Sequence, residues 1–527
     1  MLKVTNLTKH YGTEKVLNKI SFNVEQNQKI ALVGFNGTGK STLLKILSGG
    51  LKPDTGKIEL RKDITIGFLP QDTDSYNKEN VLKYIETYVG INTEVFYRNI
   101  EIMFAGFALP SEVKFKKIGD LSSGQKTKVF LTAILLKKPN IMLLDEPTNN
   151  LDLPALIWLE DFLQRTSSTF IVVSHDKKFL NNVANKIYEI DWKERTIEIS
   201  NGKYLDYLIR KEKERRRQLQ QHILQKEDKL RLTRVAEAKQ EKARIGAKKK
   251  GPDNDRLLRG YRRDKAGDSY RDAKVLFARI KRMEKIEKPN ERNEFKIEIN
   301  ADNTELSRDI RAVELFCGYG NEFKMGPINL DVRFGNRITI LGLNGSGKST
   351  LLKTITGRIK KIAGEISIGE GVKFGNLMQE HESLPKEETL INFLSKRIEA
   401  EKSILQNHLL HFGFGEWQVK TKIKELSPGG RARLLLAFFA ASSVNTLILD
   451  EPTNHLDMEA GEALDKALGK FEGTVVTATH DRFFVEKNKT DTLYVLENGV
   501  LNRINNFQEY VAEMEKRSRK LLRMLTR

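Results

Sequence analysis

Ile30-Ala-Leu-Val-Gly-Phe-Asn-Gly-Thr-Gly-Lys-Ser-Thr-Leu-Leu-Lys-Ile-Leu47 joins a short apolar run to a glycine-rich turn and then to an apolar-periodic stretch. Ile30 to Val33 reads as a buried strand, and Leu43, Leu44, Ile46 and Leu47 recur at helical spacing. The same passage returns as Ile338-Thr-Ile-Leu-Gly-Leu-Asn-Gly-Ser-Gly-Lys-Ser-Thr-Leu-Leu352, 308 residues later. Other segments repeat as well. Leu144-Asp-Glu-Pro-Thr-Asn-Asn-Leu-Asp152 recurs at Leu449 to Asp457, and Leu121-Ser-Ser-Gly-Gln125 recurs as Leu426-Ser-Pro-Gly-Gly430, both at a lag of 305. Tyr11 and Gln71 match Tyr319 and Gln379 at 308, and His175 matches His480 at 305. The lag changes once, so the chain is a tandem duplication with each copy internally intact.

A strand, a Gly-x-x-x-x-Gly-Lys-Ser turn and a helix form the context of a phosphate-binding loop. Its glycines let backbone N–H groups wrap phosphate oxygens, and the helix N-terminus adds its positive dipole end. The first loop offers Gly34, Asn36, Gly37, Gly39, Lys40, Ser41 and Thr42; the second offers Gly342, Asn344, Gly345, Gly347, Lys348, Ser349 and Thr350. Lys40 and Lys348 are expected to reach the β- and γ-phosphates, and Ser41 and Ser349 to ligate Mg2+. Ile141 to Glu146 and Leu447 to Glu451 read as apolar strands ending in two carboxylates. Asp145 and Asp450 can hold the hydrated magnesium, while Glu146 and Glu451 can polarise an attacking water. His175 and His480 each follow a further strand; one such histidine alone would read as a structural hydrogen-bonder, and its repetition at equal spacing points to catalysis. Ser122 and Ser427 are placed to N-cap the helical runs Lys126 to Leu136 and Arg431 to Ala441, with Pro428 acceptable at a first helical position.

The order aromatic, phosphate loop, glutamine, Leu-Ser-x-Gly, Asp-Glu strand, Leu-Asp and histidine resembles the ABC ATPase domain. Two such domains on one chain with a basic linker resemble the ABC-F group of ribosome-associated ATPases. The fold class implied is α/β: two tandem ABC-type P-loop ATPase domains joined by a basic α-helical hairpin. The expected boundaries are 1–208, 209–290 and 291–511, with a basic tail over 512–527. The resemblance implies that Tyr11 and Tyr319 stack on adenine and that Gln71 and Gln379 touch magnesium and the attacking water. Ser122 with Gly124 would face the γ-phosphate on the Lys348 loop, and Ser427 with Gly429 that on the Lys40 loop. Both sites then need the two domains closed head-to-tail within one monomer. Glu146 and Glu451 match the family's catalytic glutamate. Asn150 replaces the usual histidine of Asn-His-Leu-Asp, and Pro428 replaces a glycine; neither removes a phosphate ligand, so two ATP sites are expected. Gln71 to Leu121 spans 50 positions and Gln379 to Leu426 spans 47, so the insertion called the arm is absent or minimal, as in subgroups that include antibiotic-resistance factors.

Charge marks the remaining parts. The net charge is +20, yet Arg210 to Lys288 alone holds 28 Lys and Arg against 13 acidic residues, and Ala512 to Arg527 holds 6 against 2. The two copies are therefore nearly neutral, and a polyanion partner is expected for the insert and the tail. Arg210 to Arg244 is rich in helix formers with a thin seam of Ile223, Leu230, Leu232 and Val235. Asp272 to Ile286 reads as a second helix with Val275, Leu276, Ile280, Met283 and Ile286, and Gly246 to Pro252 as the turn between. Two helices of about 30 residues would reach about 45 Å. Such a hairpin is either a solvated spacer or a contact with RNA phosphate; the ABC-F resemblance favours RNA, through Lys248, Lys249, Lys250, Arg259, Arg262 and Arg263. Tyr261 could stack on a base or pack within the hairpin. The tail from Glu513 reads as either a further RNA contact or a solvated, frayed end.

The longest apolar stretch, Leu434 to Val444, is half of the roughly 20 residues a membrane-spanning helix needs, and the opening Met-Leu-Lys-Val lacks the apolar run of a secretory signal. One cysteine, Cys317, leaves no internal disulfide and no cysteine-based zinc site, which fits a reducing cytosol. By resemblance, the expected function is a cytoplasmic ATPase that binds ribosomal RNA at the tRNA exit site, beside P-site tRNA, and is released on hydrolysis. Its output is either to assist stalled or initiating ribosomes or to protect against antibiotics. Two alternatives stay open: a DNA-maintenance ATPase of similar build, or a transporter's ATPase subunit, which would need a membrane partner and leave the basic insert unexplained.

Overall fold

The computed structural model describes residues 1–35, 37–69, 76–149, 151–248, 256–283, 307–320, 323–377, 384–442, 444–453 and 458–525. The chain forms two compact units: Met1–Leu205 together with Asn293–Arg527, and Asp206–Arg292.

In the larger unit each copy builds a six-stranded sheet with the same strand order. In the first copy the strands lie as Ile66–Leu69, Ile141–Asp145, Thr169–Val173, Lys29–Val33, Lys186–Ile190 and Ile197–Asn201. In the second they lie as Phe374–Leu377, Thr446–Asp450, Thr474–Ala478, Arg337–Gly342, Thr492–Glu497 and Val500–Ile504. Five strands run parallel and the last is antiparallel. Ile141–Asp145 and Thr169–Val173 are buried at every position, as strands covered on both faces must be. A smaller antiparallel sheet of Glu14–Val24, Leu2–Tyr11 and Thr55–Leu60 sends Leu7, Leu17 and Ile20 into one core with Leu43 and Leu44 of the phosphate-loop helix. This topology places Gly34, Asp145 and His175 at the carboxyl ends of three neighbouring strands, the edge where open α/β sheets take ligands. Ahead of each Leu-Ser-x-Gly segment stands a helical pair, Val81–Val89 with Glu94–Gly106 and Leu390–Ser395 with Lys402–His411, so the described residues of the two copies carry matching elements there.

One of the contacts between the copies is built on the helix Leu153–Arg165, here called the interface helix. Leu153 and Ile157 share an apolar cluster with Leu341, Val485, Val495, Phe507 and Val511 of the second copy. Beyond them the guanidinium of Arg482 meets the carboxylate of Glu160, both almost wholly buried, with Arg482 Nη1 donating to Glu160 Oε2 at 3.0 Å. Burial opposes the charge, yet Glu160 raises the guanidinium pKa above its ordinary value and keeps it ionised. Asn182 donates to the same oxygen at 3.2 Å.

The tail is not a frayed end. Phe507–Leu525 is one helix whose Phe507, Val511, Ser518 and Leu522 turn inward, at spacings that share one helical face. Ser518 donates to Asp161 of the interface helix at 2.6 Å, while Lys516, Arg517, Arg519, Lys520 and Arg523 stay exposed.

The smaller unit is built on Tyr204–Lys248 and Arg256–Arg282, about 68 and 40 Å long at 1.5 Å per residue. Both differ from expectation. The first helix runs on through Gly246, and the second begins 16 residues before Asp272, because Arg, Leu, Lys and Ala dominate that stretch and outweigh Gly260 and Gly267. Ile223, Leu230 and Val235 are exposed, as is Val275. Among the described residues beyond Tyr204 and Tyr207, which are buried at the start of the first helix, the buried positions are Ala236, Ala243 and Ala273, and Lys239 pairs with Asp272 across the two helices at 2.6 Å. Alanine seven residues apart lets helices approach closely, so small side chains rather than large ones form the seam. Tyr261 is exposed, with Lys265 Nζ 5.7 Å from its ring centre. Lys248, Arg259, Arg262 and Arg263 fall on helical backbone, whereas Lys249 and Lys250 lie outside the described residues.

Removing one member of a buried ion pair leaves the other uncompensated, at a cost of about 3–5 kcal/mol. Glu160→Ala should therefore lower the melting temperature of the full chain, and adding Arg482→Met should recover most of the loss. A double variant no more stable than the single one would show that the pair is not the cause.

Candidate active site

Each phosphate loop is held in shape by its own lysine. Lys40 Nζ donates to the carbonyls of Gly34 and Phe35 at 2.8 and 2.9 Å, and Lys348 Nζ to those of Gly342 and Leu343 at 2.9 and 3.1 Å. Gly39 and Gly347 open the helices that carry Ser41, Thr42, Ser349 and Thr350, at φ of 94° and 103°, a conformation that disfavours any residue with a Cβ. At Gly39 a Cβ would also stand 2.6 Å from Val16 Cγ1. Each loop thus leads into the N-terminus of a helix, where backbone N–H groups can take an anion.

At the neighbouring strand ends, Ser41 Oγ donates to Asp145 Oδ1 at 3.1 Å, while Asp145 Oδ2 is buried without a hydrogen-bond partner. Burial pushes the Asp145 carboxyl above its ordinary value and that of Asp450, beside Ser349, up to about 6. A hydroxyl next to a buried acidic oxygen fits Mg2+ that draws its remaining ligands from phosphate and water. Glu146 and Glu451 stand in left-handed backbone, φ 50° and 48°, pinned by N–H donation to Val173 and Ala478 at 2.9 and 2.8 Å. His175 Nε2 lies 3.3 Å from Glu146 Oε1, and His480 Nδ1 2.9 Å from Glu451 Oε2.

The two carboxylates differ electrostatically. Burial, reinforced by Asp145 and opposed by Lys40, pushes Glu146 up to about 7. Burial acts on Glu451 in the same sense, but His480 and Lys348 outweigh it and hold this carboxyl below its ordinary value.

A cavity of about 700 Å³ brings residues of both copies together. Tyr11, Gly37, Gly39, Lys40, Ser41, Thr42, Glu146 and His175 line it from the first copy, and Ser427 and Gly429 from the second. Ser427 caps its helix by accepting from Gly430 N–H at 3.2 Å, as Ser122 accepts from Gln125 N–H at 3.3 Å. His480, expected beside Glu451, lines this cavity too. Tyr319, Lys348, Ser122 and Gly124 are not on its wall. At the second loop the contact between copies is made by Asp152, whose Oδ2 accepts from Asn344 N–H at 3.3 Å. Tyr11 and Tyr319 are half exposed, at 52% and 51%, leaving each ring open for stacking. Asn36, Gln71 and Gln379 fall outside the described residues.

Several cavity or interface residues were not singled out from the sequence: Glu14, Thr148, Asp176, Thr453 and Asp481 on the wall, Asp152, Glu160 and Arg482 between the copies, and Lys128, which pairs with Asp152. The repeat lag held the signal. At 305 residues Lys128 matches Arg433, Glu160 matches Asp465, Lys177 matches Arg482 and Asp176 matches Asp481, each preserving the sign of charge.

A family model described as ABC transporter matches residues 17–149 and 325–454. The putative ATP-binding protein YdiF of Bacillus subtilis (strain 168) is 31% identical over 97% of this chain and 82% of its own length. The chain belongs to the ABC-F family of tandem ABC ATPases. The ribosome protection protein VmlR of the same organism is 29% identical, over 99% of this chain and 91% of its own. Among solved structures, the complex of an archaeal ribosomal stalk protein with the recycling factor aABCE1 superposes with a TM-score of 0.64, covering 97% of this chain and 92% of that one; at 19% identity the likeness is one of fold. As an ABC-F member the chain is an ATPase that binds ATP in its ABC domains. No helix among the described residues is long and apolar enough to cross a membrane.

A carboxylate serves as a general base only when ionised. Glu451→Gln, which leaves Glu146 in place, should hydrolyse ATP faster as pH rises from about 6 to about 8, because Glu146 loses its proton in that window. Glu146→Gln, which leaves Glu451, should give a flat profile. Steady-state phosphate release measures both, and superimposable profiles would refute the difference.

Proposed function

We propose that this chain is a cytoplasmic, monomeric ATPase whose two copies close on two ATP–Mg2+ and, so closed, bind the ribosome at the tRNA exit site. The domain limits proposed are those of the sequence: 1–208, 209–290, 291–511 and 512–527. The observation that carries the reading is the cavity lined by the Lys40 loop on one side and by Ser427 and Gly429 on the other. A triphosphate seated there touches both copies, so its affinity becomes closure free energy. Within it Tyr11 stacks on adenine, Lys40 and the loop N–H groups hold the β- and γ-phosphates, and Ser41 with Gln71 holds Mg2+. Tyr319, Lys348, Ser349 and Gln379 repeat these roles in the second site, completed by Ser122 and Gly124. Glu146 and Glu451 orient the attacking water with His175 and His480, and loss of the γ-phosphate reopens the copies.

Ribosome binding is supported by the charge of the hairpin and by the likeness over 99% of the chain to a relative named as a ribosome protection protein. Lysines and arginines around the turn suit RNA phosphate. The hairpin is directed toward the peptidyl-transferase centre, against ribosomal RNA and P-site tRNA, and the output is either protection from antibiotics or modulation of translation.

The variant Glu146→Gln with Glu451→Gln should stay closed on ATP and co-sediment with 70S ribosomes. Recovery in the ribosome-free fraction, bound instead to duplex DNA or membranes, would overturn the proposal. Replacing Lys248, Lys249, Lys250, Arg262 and Arg263 by Gln should weaken ribosome retention while leaving ATP binding intact; equal loss of both would make the hairpin structural.

A further inference from the structure

One turn distinguishes the two copies beside the phosphate loops. In the second copy the strands Thr492–Glu497 and Val500–Ile504 are joined by Asn498 and Gly499 alone, at φ 51° and 77°, the tight turn that Asn-Gly favours. In the first copy Lys186–Ile190 and Ile197–Asn201 are joined by the six residues Asp191-Trp-Lys-Glu-Arg-Thr196. Asp191 Oδ1 accepts from the N–H groups of Lys193 and Glu194 at 2.8 and 2.6 Å and folds the turn back on itself. Asn18 then anchors it from the small sheet, donating from its backbone to Arg195 O and from its side chain to Glu194 O, both at 3.0 Å.

The turn reaches the Lys40 loop. Arg195 Nη1 donates to Gly37 O at 2.9 Å, and Trp192 meets Phe35 of the same loop edge to face at 6.5 Å. Arg195 Nη2 stands 3.4 Å from Glu14 Oε1. Glu14 lines the cavity and is paired in register with Tyr11 across the small sheet. One guanidinium thus joins the aromatic end of the cavity to the phosphate loop. Its bond to the Gly37 carbonyl fixes the loop at that peptide, whose Thr38 N–H is in turn held within the loop by Phe35 O at 3.2 Å. Its charge adds attraction for a polyphosphate, and the fork geometry of arginine allows both contacts at once.

We propose that Arg195 is a positioning residue of the first nucleotide site and raises that site's affinity for ATP above that of the second. The proposal rests on the assignment of the Lys40 loop as a nucleotide site. Its test is equilibrium binding of mant-ATP with Mg2+ to the full chain, with Lys348→Ala isolating the first site and Lys40→Ala the second. In the Lys348→Ala background Arg195→Ala should raise Kd about tenfold, the loss of one charged hydrogen bond, and in the Lys40→Ala background by less than about twofold. Arg195→Lys, which keeps charge without the fork, should fall between. Replacing residues 191–196 by Asn-Gly should bring the first site's Kd to that of the second, with the second site's Kd unchanged. In steady state, Arg195→Ala should raise KM and leave kcat within about twofold, since the residue touches no reacting atom. An unchanged first-site Kd, or equal losses at both sites, overturns the role of Arg195. If Lys40→Ala leaves the binding stoichiometry at two, it is the site assignment beneath the proposal that fails.

Discussion

Asp152 is the constraint on which the arrangement of the two copies turns. The residue is 1% exposed, and a charge so buried must be both neutralised and hydrogen-bonded. Lys128 supplies the charge at 3.0 Å, the Ala155 N–H caps it at 3.4 Å, and the Asn344 N–H reaches it from the other copy at 3.3 Å. Lys128 lies on the helix that Ser122 caps, Ala155 on the interface helix and Asn344 on the second phosphate loop. Three elements of different origin therefore share one anion. A shift of any of them that is not followed by the others strips a buried carboxylate of a partner. The Arg482–Glu160 pair then repeats the same logic further along the interface helix.

What could be read from the sequence was what local chemistry dictates at short range. Glycine at positive φ, a serine cap three residues ahead of its acceptor's donor, and an apolar strand ending in acids each leave a pattern within ten residues. The duplication supplied the rest by repeating those patterns in register. Contacts between distant elements left no such pattern. Glu160 and Arg482 are 322 positions apart, and each alone reads as a charged residue on a solvated helix face. The hairpin seam escaped for another reason: alanine contributes little to apolar periodicity, so Ile223 and Leu230 drew attention while Ala236 and Ala243 did the packing. The tail read as basic because its charges outnumber the few residues that hold it in place.

Both Glu146 and Glu451 occupy left-handed backbone where glycine would sit without strain, at a cost of about 1–3 kcal/mol each. That the same strain recurs in the two copies, with the same N–H anchored to the neighbouring strand, marks these positions as ones where side-chain chemistry outweighs backbone preference. The copies diverge only in what surrounds them. A closer histidine stabilises the ionised form in the second copy, and burial disfavours it in the first. A duplicated fold thus carries two unequal electrostatic environments behind nearly identical motifs.

The C-terminal helix also bears on how the protein is made. The interface helix ends at Arg165, but everything that covers Leu153 and Ile157 in their cluster, from Leu341 to Val511, follows much later in the chain. At about 5–20 residues per second, the 342 positions from Arg165 to Phe507 take roughly 20–70 s to synthesise. The first copy's stripe has none of this cover until Leu341 is made, and Phe507 and Val511 complete it. The order of synthesis thus separates the two halves of this cluster, and Phe507 and Val511 are the last of its members to be made.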